Sequence, residues 1–271
     1  MSPRPSPIVV TDLDGTLLDE ETYSFDAARE ALLALRDRGV PLILCSSKTR
    51  AEMGPLAAEV APGWPFIVEN GGAIVLPGGS EQVMERGVRQ GALVAALAEI
   101  AAETGIGLRG FSALGLEQVA RVTGLPIMAA ARARQREFDE PFLLPDARAE
   151  TVVRVAAEHR GLRVTRGGRF HHLTGPVDKG AAVREVLELL GAAADTVTSV
   201  GLGDAPNDLP MLLAMDRPIL MPRRRGGVDP ELASALPGAE RAPEPGPAGW
   251  GRAVLAVLAG ERLPRGEGAP Q

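Results

Sequence analysis

The chain has 271 residues, 45% of them hydrophobic and 24% charged, and a formal net charge of -6. This is globular composition with an ample core; it excludes a disordered chain, a collagen-like repeat and, with Cys45 as the only cysteine, a disulfide scaffold or a cysteine-rich metal site. Net acidity argues against nucleic acid or an anionic membrane as partner, and the most apolar stretch, Ala92 to Ala102, is broken by Glu99 and falls far short of the roughly 20 residues a bilayer needs.

The N-terminal residues lack the long apolar block of a secretory signal, and a cytoplasmic location is expected. Pro7 to Thr11 reads as a short buried strand that runs into Asp12-Leu13-Asp14-Gly15-Thr16. Asp26 to Arg38 has apolar residues at helical spacing and stops at Gly39, and Pro41 to Cys45 is a second apolar strand, followed by Ser46-Ser47-Lys48. Apolar runs without alternation suggest strands covered on both faces, as in a parallel sheet between helices. Helices at about 89–104, 112–123 and 147–159 then alternate with short strands near Leu108, Phe142, Leu162 and Phe170. The first grammar returns with a helix over Lys179 to Leu190, a strand over Thr196 to Gly201, a helix over Ala205 to Ala214 and a strand over Arg217 to Met221. A further helix is expected over Trp250 to Ala259. The fold class expected is α/β: a Rossmann-like parallel sheet with helices on both faces, residues 1–78 and 174–271, interrupted by an inserted α+β cap, residues 79–173.

The strongest chemical signal is Asp-x-Asp-Gly-Thr directly after a buried strand, since open parallel sheets bind ligands beyond the carboxyl ends of their strands. A carboxylate attacks phosphorus only if a cation offsets the repulsion between two anions, and a carboxyl two residues on can protonate the leaving oxygen and later take a proton from water. An Asp-Gly turn that merely caps a helix is the bland alternative. The second signal is Gly201-Leu202-Gly203-Asp204-Ala205-Pro206-Asn207-Asp208, at the end of another apolar strand. If the two strands are neighbours, Asp204 lies near Asp12 in an oxygen-rich site suited to Mg²⁺, with Asn207 and Asp208 in the following turn. Ser46, with Ser47 beside it, offers a hydroxyl and backbone N–H groups to phosphate oxygens, though serine also caps helices generally. Of 29 basic residues only Lys48 and Lys179 are lysine. A lysine that opens a helix, as Lys179 does, is awkward near the positive dipole end unless anions sit close by.

These stations in this order resemble the haloacid-dehalogenase-like phosphohydrolases. The resemblance implies that Asp12 is the nucleophile and Asp14 the general acid/base. Asp12, the backbone carbonyl of Asp14 and Asp204 would bind Mg²⁺, with Asp208 supporting the metal and the lysine. Ser46, Ser47, Lys179 and Asn207 would hold the phosphoryl group. Leu44 to Thr49, Phe66-Ile67-Val68-Glu69-Asn70-Gly71-Gly72, Arg136 to Phe142 and Gly167 to Leu173 look like the narrower mannosyl-3-phosphoglycerate phosphatase family. That likeness implies a phosphorylated glycoside as substrate: mannosyl-3-phosphoglycerate, with the glucosyl analogue or a broader set of sugar phosphates as the alternative. A phosphomutase and a non-catalytic sensor are the more distant rivals. A phosphoglycerate carries a carboxylate, so one or two of Arg132, Arg134 and Arg136 are expected to supply cations, Glu137 or Glu140 to bind sugar hydroxyls, and Arg169 and His171 to reach the substrate. His171 and His172 alternate on a short strand, so only one of them can face the cleft. The oligomeric state stays open, a dimer being one option.

Overall fold

The computed structural model describes residues 7–78, 82–167, 170–191 and 197–266. Strands β1 (Ile8–Thr11), β2 (Leu42–Cys45), β3 (Phe66–Val68), β4 (Ala73–Leu76) and β5 (Gln82–Glu85) open the chain. Next come β6 (Arg109–Gly110), β7 (Asp139–Leu143), β8 (Arg163–Gly167) and β9 (Phe170–Thr174), then β10 (Ser199–Gly203), β11 (Arg217–Leu220) and β12 (Glu240–Arg241). Eight of them form one sheet in the order β12-β11-β10-β1-β2-β3-β4-β5. Its strands from β12 to β3 are parallel, while β4 and β5 add an antiparallel edge.

Buried side chains alternate between the two faces of this sheet. Val9, Leu42 and Leu44 point into one core with helices α1 (Arg29–Asp37), α2 (Arg50–Val60) and, at the other end of the chain, the helix Gly246–Ala259. Ile8, Val10, Ile43 and Cys45 point into the other core. That core is closed by Ala182, Val183 and Val186 of the helix Lys179–Leu189 and by Met211 and Leu212. The unbroken apolar runs of the sequence are strands buried on both faces, as a covered parallel sheet requires.

Several helices are shorter than their sequence patterns, because a 3-10 turn forms the first residues. This holds at Asp26–Ala28, Phe111–Ala113, Ala147–Ala149 and Pro206–Asp208. The C-terminal helix begins four residues earlier than expected, at Gly246, with Pro247 in its first turn where a missing N–H costs nothing. Trp250 on this helix is fully buried and donates Nε1–H to Thr11 Oγ1 at 2.9 Å, which fixes the last residue of β1.

The second sheet has the order β6-β7-β9-β8 and is antiparallel throughout. Helices α3 (Gln90–Thr104) and Glu150–Glu158 cover one face of it through Leu93, Leu97, Ile100, Val153 and Ala157. Between β5 and the next strand of the large sheet, the chain therefore inserts a complete α+β unit. The large sheet reaches Glu85, past the expected boundary at residue 78. Among the described residues no helix is long and apolar enough to cross a membrane.

At the sheet's far edge Glu240 is buried between Arg217, which donates to both its oxygens at 3.0 and 2.8 Å, and Arg262. Burial alone would raise its carboxyl, but hydrogen bonds from Arg217, the Leu263 N–H and Arg262 bring it down to about 2 from an ordinary 4.5. A depressed folded pKa stabilises the protein above the unfolded value, and that contribution fades as pH falls from 4.5 toward 2. Glu240→Gln is expected to cost about 3 kcal/mol at pH 7, with the deficit shrinking below pH 4.5. Urea unfolding of both proteins at pH 7 and pH 3 checks this; an equal gap at the two pH values would contradict it.

Candidate active site

Strand β1 lies between β10 and β2, and the chain crosses the sheet in opposite directions on its two sides. This is the topological switch point, where the strand ends leave a crevice. Asp12 follows β1, Asp204 follows β10, and Ser46 follows β2, so the pairing of three strands delivers the three stations to one place. Gly15 turns the chain at φ +78, and a Cβ there would stand 2.9 Å from Asp204 Oδ2, so the first loop can approach the second only through glycine. Thr16 then donates its hydroxyl to Asp204 Oδ1 at 3.1 Å.

Lys179 opens its helix behind a cap in which Asp178 accepts from the Ala181 N–H. Its ammonium is fully buried and donates to Asp12 Oδ1 and Asp208 Oδ1, both at 2.6 Å. The other oxygen of Asp208 accepts the backbone N–H groups of Asp204 and Ala205 at 3.0 Å each, so one buried carboxylate sets both the lysine and the second loop.

Ligand atoms of Asp12, Asp204 and Asp208 all lie within 4.8 Å of one another. Burial and the Asp208 carboxylate push Asp12 up to about 7 against the pull of Lys179. Burial, Asp208 and Asp12 likewise hold Asp204 well above the usual carboxylate range. For Lys179 burial works against the charge, but Asp12 and Asp208 more than restore it. Three carboxylates thus share one ammonium. The deficit of positive charge, in a donor set made only of hard oxygens, fits a divalent cation such as Mg²⁺.

Asp14 is half-exposed and pairs with Lys48 at 2.9 Å, so the second of the two lysines belongs to the site as well. Burial disfavours the Lys48 charge, yet Asp14 and Glu52 raise its pKa above the ordinary value. Ser46 is buried, its Oγ accepts the Lys48 N–H at 3.2 Å, and its carbonyl accepts from the Asn70 N–H. Asn207 donates its amide to Asn70 Oδ1 at 3.2 Å.

A model of the haloacid dehalogenase-like hydrolases matches residues 9–117. The chain is 40% identical to the glucosyl-3-phosphoglycerate/mannosyl-3-phosphoglycerate phosphatase of Methanococcoides burtonii, over 93% of this chain and 97% of that one. It is 33% identical to the mannosyl-3-phosphoglycerate phosphatase of Pyrococcus furiosus, over 77% and 88%. The chain belongs to the mannosyl-3-phosphoglycerate phosphatase family of haloacid dehalogenase-like hydrolases. Its fold is shared more widely. A Thermoplasma acidophilum protein superposes with a TM-score of 0.71 at 20% identity, over 94% of this chain and 98% of that one. A haloalkanoate-superfamily phosphatase from Bacteroides thetaiotaomicron gives 0.69 at 19%, over 96% and 98%.

In this member of the family the insert residues expected to touch substrate fall in different places. Arg132 and Arg134 are exposed. The Arg136 side chain is buried, and its guanidinium donates to the Ser47 carbonyl at 2.6 Å and to Asp139 at 3.4 Å, so it ties the insert to the loop after β2. Glu140 is fully buried. Its Oε1 accepts the Ser112 N–H and hydroxyl, and its Oε2 accepts Gln90 Nε2. His171 lies 3.3 Å from Glu150 and tilts against Phe142, on the helix-covered face of the small sheet. Arg169 lies outside the described residues. Sequence reasoning passed over Glu69, whose buried carboxylate accepts the N–H groups of Glu137 and Phe138 at 2.8–3.1 Å. It also passed over Thr16. The signal for both was present, in Phe66 to Gly72 and in the last residue of Asp-x-Asp-Gly-Thr.

Asp204→Asn conserves size but removes one of the three charges. Calorimetric Mg²⁺ titration is expected to show at least a tenfold loss of affinity, about 1.4 kcal/mol, in a protein of unchanged circular dichroism. Unchanged affinity would take Asp204 out of the metal set.

Proposed function

We propose that the chain is a Mg²⁺-dependent phosphatase that hydrolyses 2-O-(α-mannosyl)-3-phosphoglycerate to mannosylglycerate and phosphate. Its chemistry rests on one observation: Asp12 stands at the switch point, bonded to a buried ammonium and grouped with Asp204 and Asp208. The choice of substrate rests on the names of the relatives, which include the glucosyl analogue, an epimer. We assign the four-stranded unit, which runs from α3 at Gln90 to the end of β9 at Thr174 and not over the expected 79–173, to the cap that covers this site, and we place the enzyme in the cytoplasm.

In this reading Asp12 attacks phosphorus, and the bond from phosphorus to the leaving oxygen breaks as Asp14 gives that oxygen its proton. The product is a phospho-aspartate. Asp14 then takes a proton from water as the water oxygen attacks phosphorus, and the bond to Asp12 breaks to release inorganic phosphate. Lys179, Ser46 and the backbone around Ser47 hold the phosphoryl oxygens, and Asp208 fixes the direction of the ammonium. Lys48 pairs with the Asp14 carboxyl at 2.9 Å. A Mg²⁺ ion held by Asp12, Asp204 and the Asp14 carbonyl would offset the repulsion between Asp12 and the phosphoryl oxygens.

Phosphate release is to be measured with and without Mg²⁺ on mannosyl- and glucosyl-3-phosphoglycerate, mannose 6-phosphate, sucrose 6-phosphate and 3-phosphoglycerate. A kcat/KM preference of about 100-fold for the glycosylated phosphoglycerates, worth about 2.7 kcal/mol, is expected. A flat profile across the panel would overturn the substrate assignment and leave the catalytic one standing. Asp12→Asn is expected to lose at least about a thousandfold in kcat with its fold intact; turnover near wild type would remove Asp12 from the nucleophile role.

A further inference from the structure

Neighbouring residues on a strand point to opposite faces, and residues paired across an antiparallel ladder point the same way. In the small sheet Glu140, Phe142, His171 and Leu173 share the face packed under the two helices. Asp139, His172 and Thr165 are therefore on the other face, with His172 paired in register to Thr165. That face is turned to the catalytic unit. Arg136 links Asp139 to the Ser47 carbonyl, and β8, which carries Thr165, packs against the turn Pro206–Asp208. Asn207 in that turn bonds Asn70, and Asn70 bonds the Ser46 carbonyl. The contacts run from Ser47 through Arg136, Asp139 and His172 to Thr165, and from Ser46 through Asn70 to Asn207, and the packing of β8 on the turn Pro206–Asp208 brings the two ends into a ring.

Among the described residues, four buried polar atoms of this ring have no hydrogen-bond partner: Asn70 Nδ2, Asn207 Oδ1, Thr165 Oγ1 and Asp139 Oδ1. Asp139 and Asn70 are themselves 0% and 5% exposed. Such atoms cost about 1–3 kcal/mol each if left unpaired, so four on one ring call for a ligand. Their chemistry says which kind. Asn207 Oδ1 and Asp139 Oδ1 accept only, Asn70 Nδ2 donates only, and the Thr165 hydroxyl does both. A phosphate or carboxylate would find two acceptors facing it. A hydroxyl, which donates and accepts together, satisfies an Asn70–Asn207 pair and can donate to Asp139.

We propose that Asn70, Asn207, Thr165 and Asp139 form a polyol subsite that recognises the sugar hydroxyls of the substrate, with His172 as the positioning residue that holds Asp139 by a 2.6 Å contact to its Oδ2. This deepens the function proposed above and rests on it. It moves sugar recognition from Glu140 and His171 to the opposite face of the same strands, and it gives Asn207 a hydroxyl instead of a phosphoryl oxygen.

The test uses the full-length enzyme with Mg²⁺ and compares kcat/KM on mannosyl-3-phosphoglycerate with kcat/KM on 4-nitrophenyl phosphate, which has no sugar. Thr165→Val keeps the side chain's shape, and Asn70→Gly keeps the left-handed backbone, φ +59, that Asn70 adopts. Each is expected to lower the ratio of the two values about tenfold, and the loss should vanish on an analogue that lacks the contacted hydroxyl. A ratio within twofold of wild type in both variants would overturn the subsite. If wild-type enzyme prefers a hexose phosphate to the glycosylated phosphoglycerates, the proposed function fails on its own. The subsite is then judged by the same ratio on that hexose phosphate, a tenfold fall supporting it and an unchanged ratio overturning it.

Discussion

A single ammonium holds this site together. Lys179 Nζ meets Asp12 and Asp208 at 2.6 Å in buried surroundings, and Asp208 turns its other oxygen to the N–H groups that open the second loop. A buried pair of this kind is no net source of stability, because desolvation consumes most of the Coulombic gain. What it supplies is geometry: three chain segments, each from a different part of the sequence, are held to one point. It also leaves three carboxylates against one ammonium, with Asp12 pushed up to about 7 and Asp204 held well above the usual carboxylate range. Such an excess of buried hard-oxygen charge fits a divalent cation beside Asp12.

The sheet explains why these segments meet. Parallel strands covered on both faces have all their carboxyl ends on one edge, and the crossover that puts β10 and β2 on either side of β1 opens that edge at the switch point. The packing is strict where loops cross. Gly15 sits under Asp204, and a Cβ on Gly203 would stand 2.7 Å from the Asp208 Cβ, so the loops after β1 and β10 are spaced by the absence of side chains. Trp250 reaches the same place from the far end of the chain through Thr11.

The catalytic half was legible in the sequence because its signals are local. Asp-x-Asp-Gly-Thr, Ser46 after an apolar strand, Lys179 at a helix start and Gly-x-Gly-Asp each carry their spacing in a few residues. Scarcity of lysine singled out Lys48 and Lys179, and the structure pairs the first with Asp14 and the second with Asp12 and Asp208. Helix α2 was less visible, since Pro55 lies inside it and its start is marked only by the capping box of Thr49 and Glu52. The insert was legible as a unit but not in its faces. Alternation separates Asp139 from Glu140 and His171 from His172, yet nothing local says which of each pair lies under the helices. That is decided by α3 and its neighbour, which cover the Phe142 and Leu173 side. Arg136 looked like a free cation for the same reason; the groups it serves, the Ser47 carbonyl and Asp139, are tertiary neighbours.

Three of the four sequence stretches that carried the narrower resemblance prove to be one structure. Glu69 takes the N–H groups of Glu137 and Phe138, Arg136 takes the Ser47 carbonyl, Thr49 donates to the Arg132 carbonyl, and Arg50 bonds Glu137. Glu69 and Asn70 hold positive φ values of 49 and 59, a strain that persists only where surrounding contacts over-determine the backbone. The consequence is a division of labour. Residues 132–138 are fixed to the loop after β2 by backbone and buried charge, so their positions are set by the catalytic unit and leave little freedom to follow a substrate. Under the proposed subsite, discrimination between sugars falls to side chains on the facing side of β7, β8 and β9, among which the Thr165 hydroxyl, unlike Asp139, takes no part in those ties.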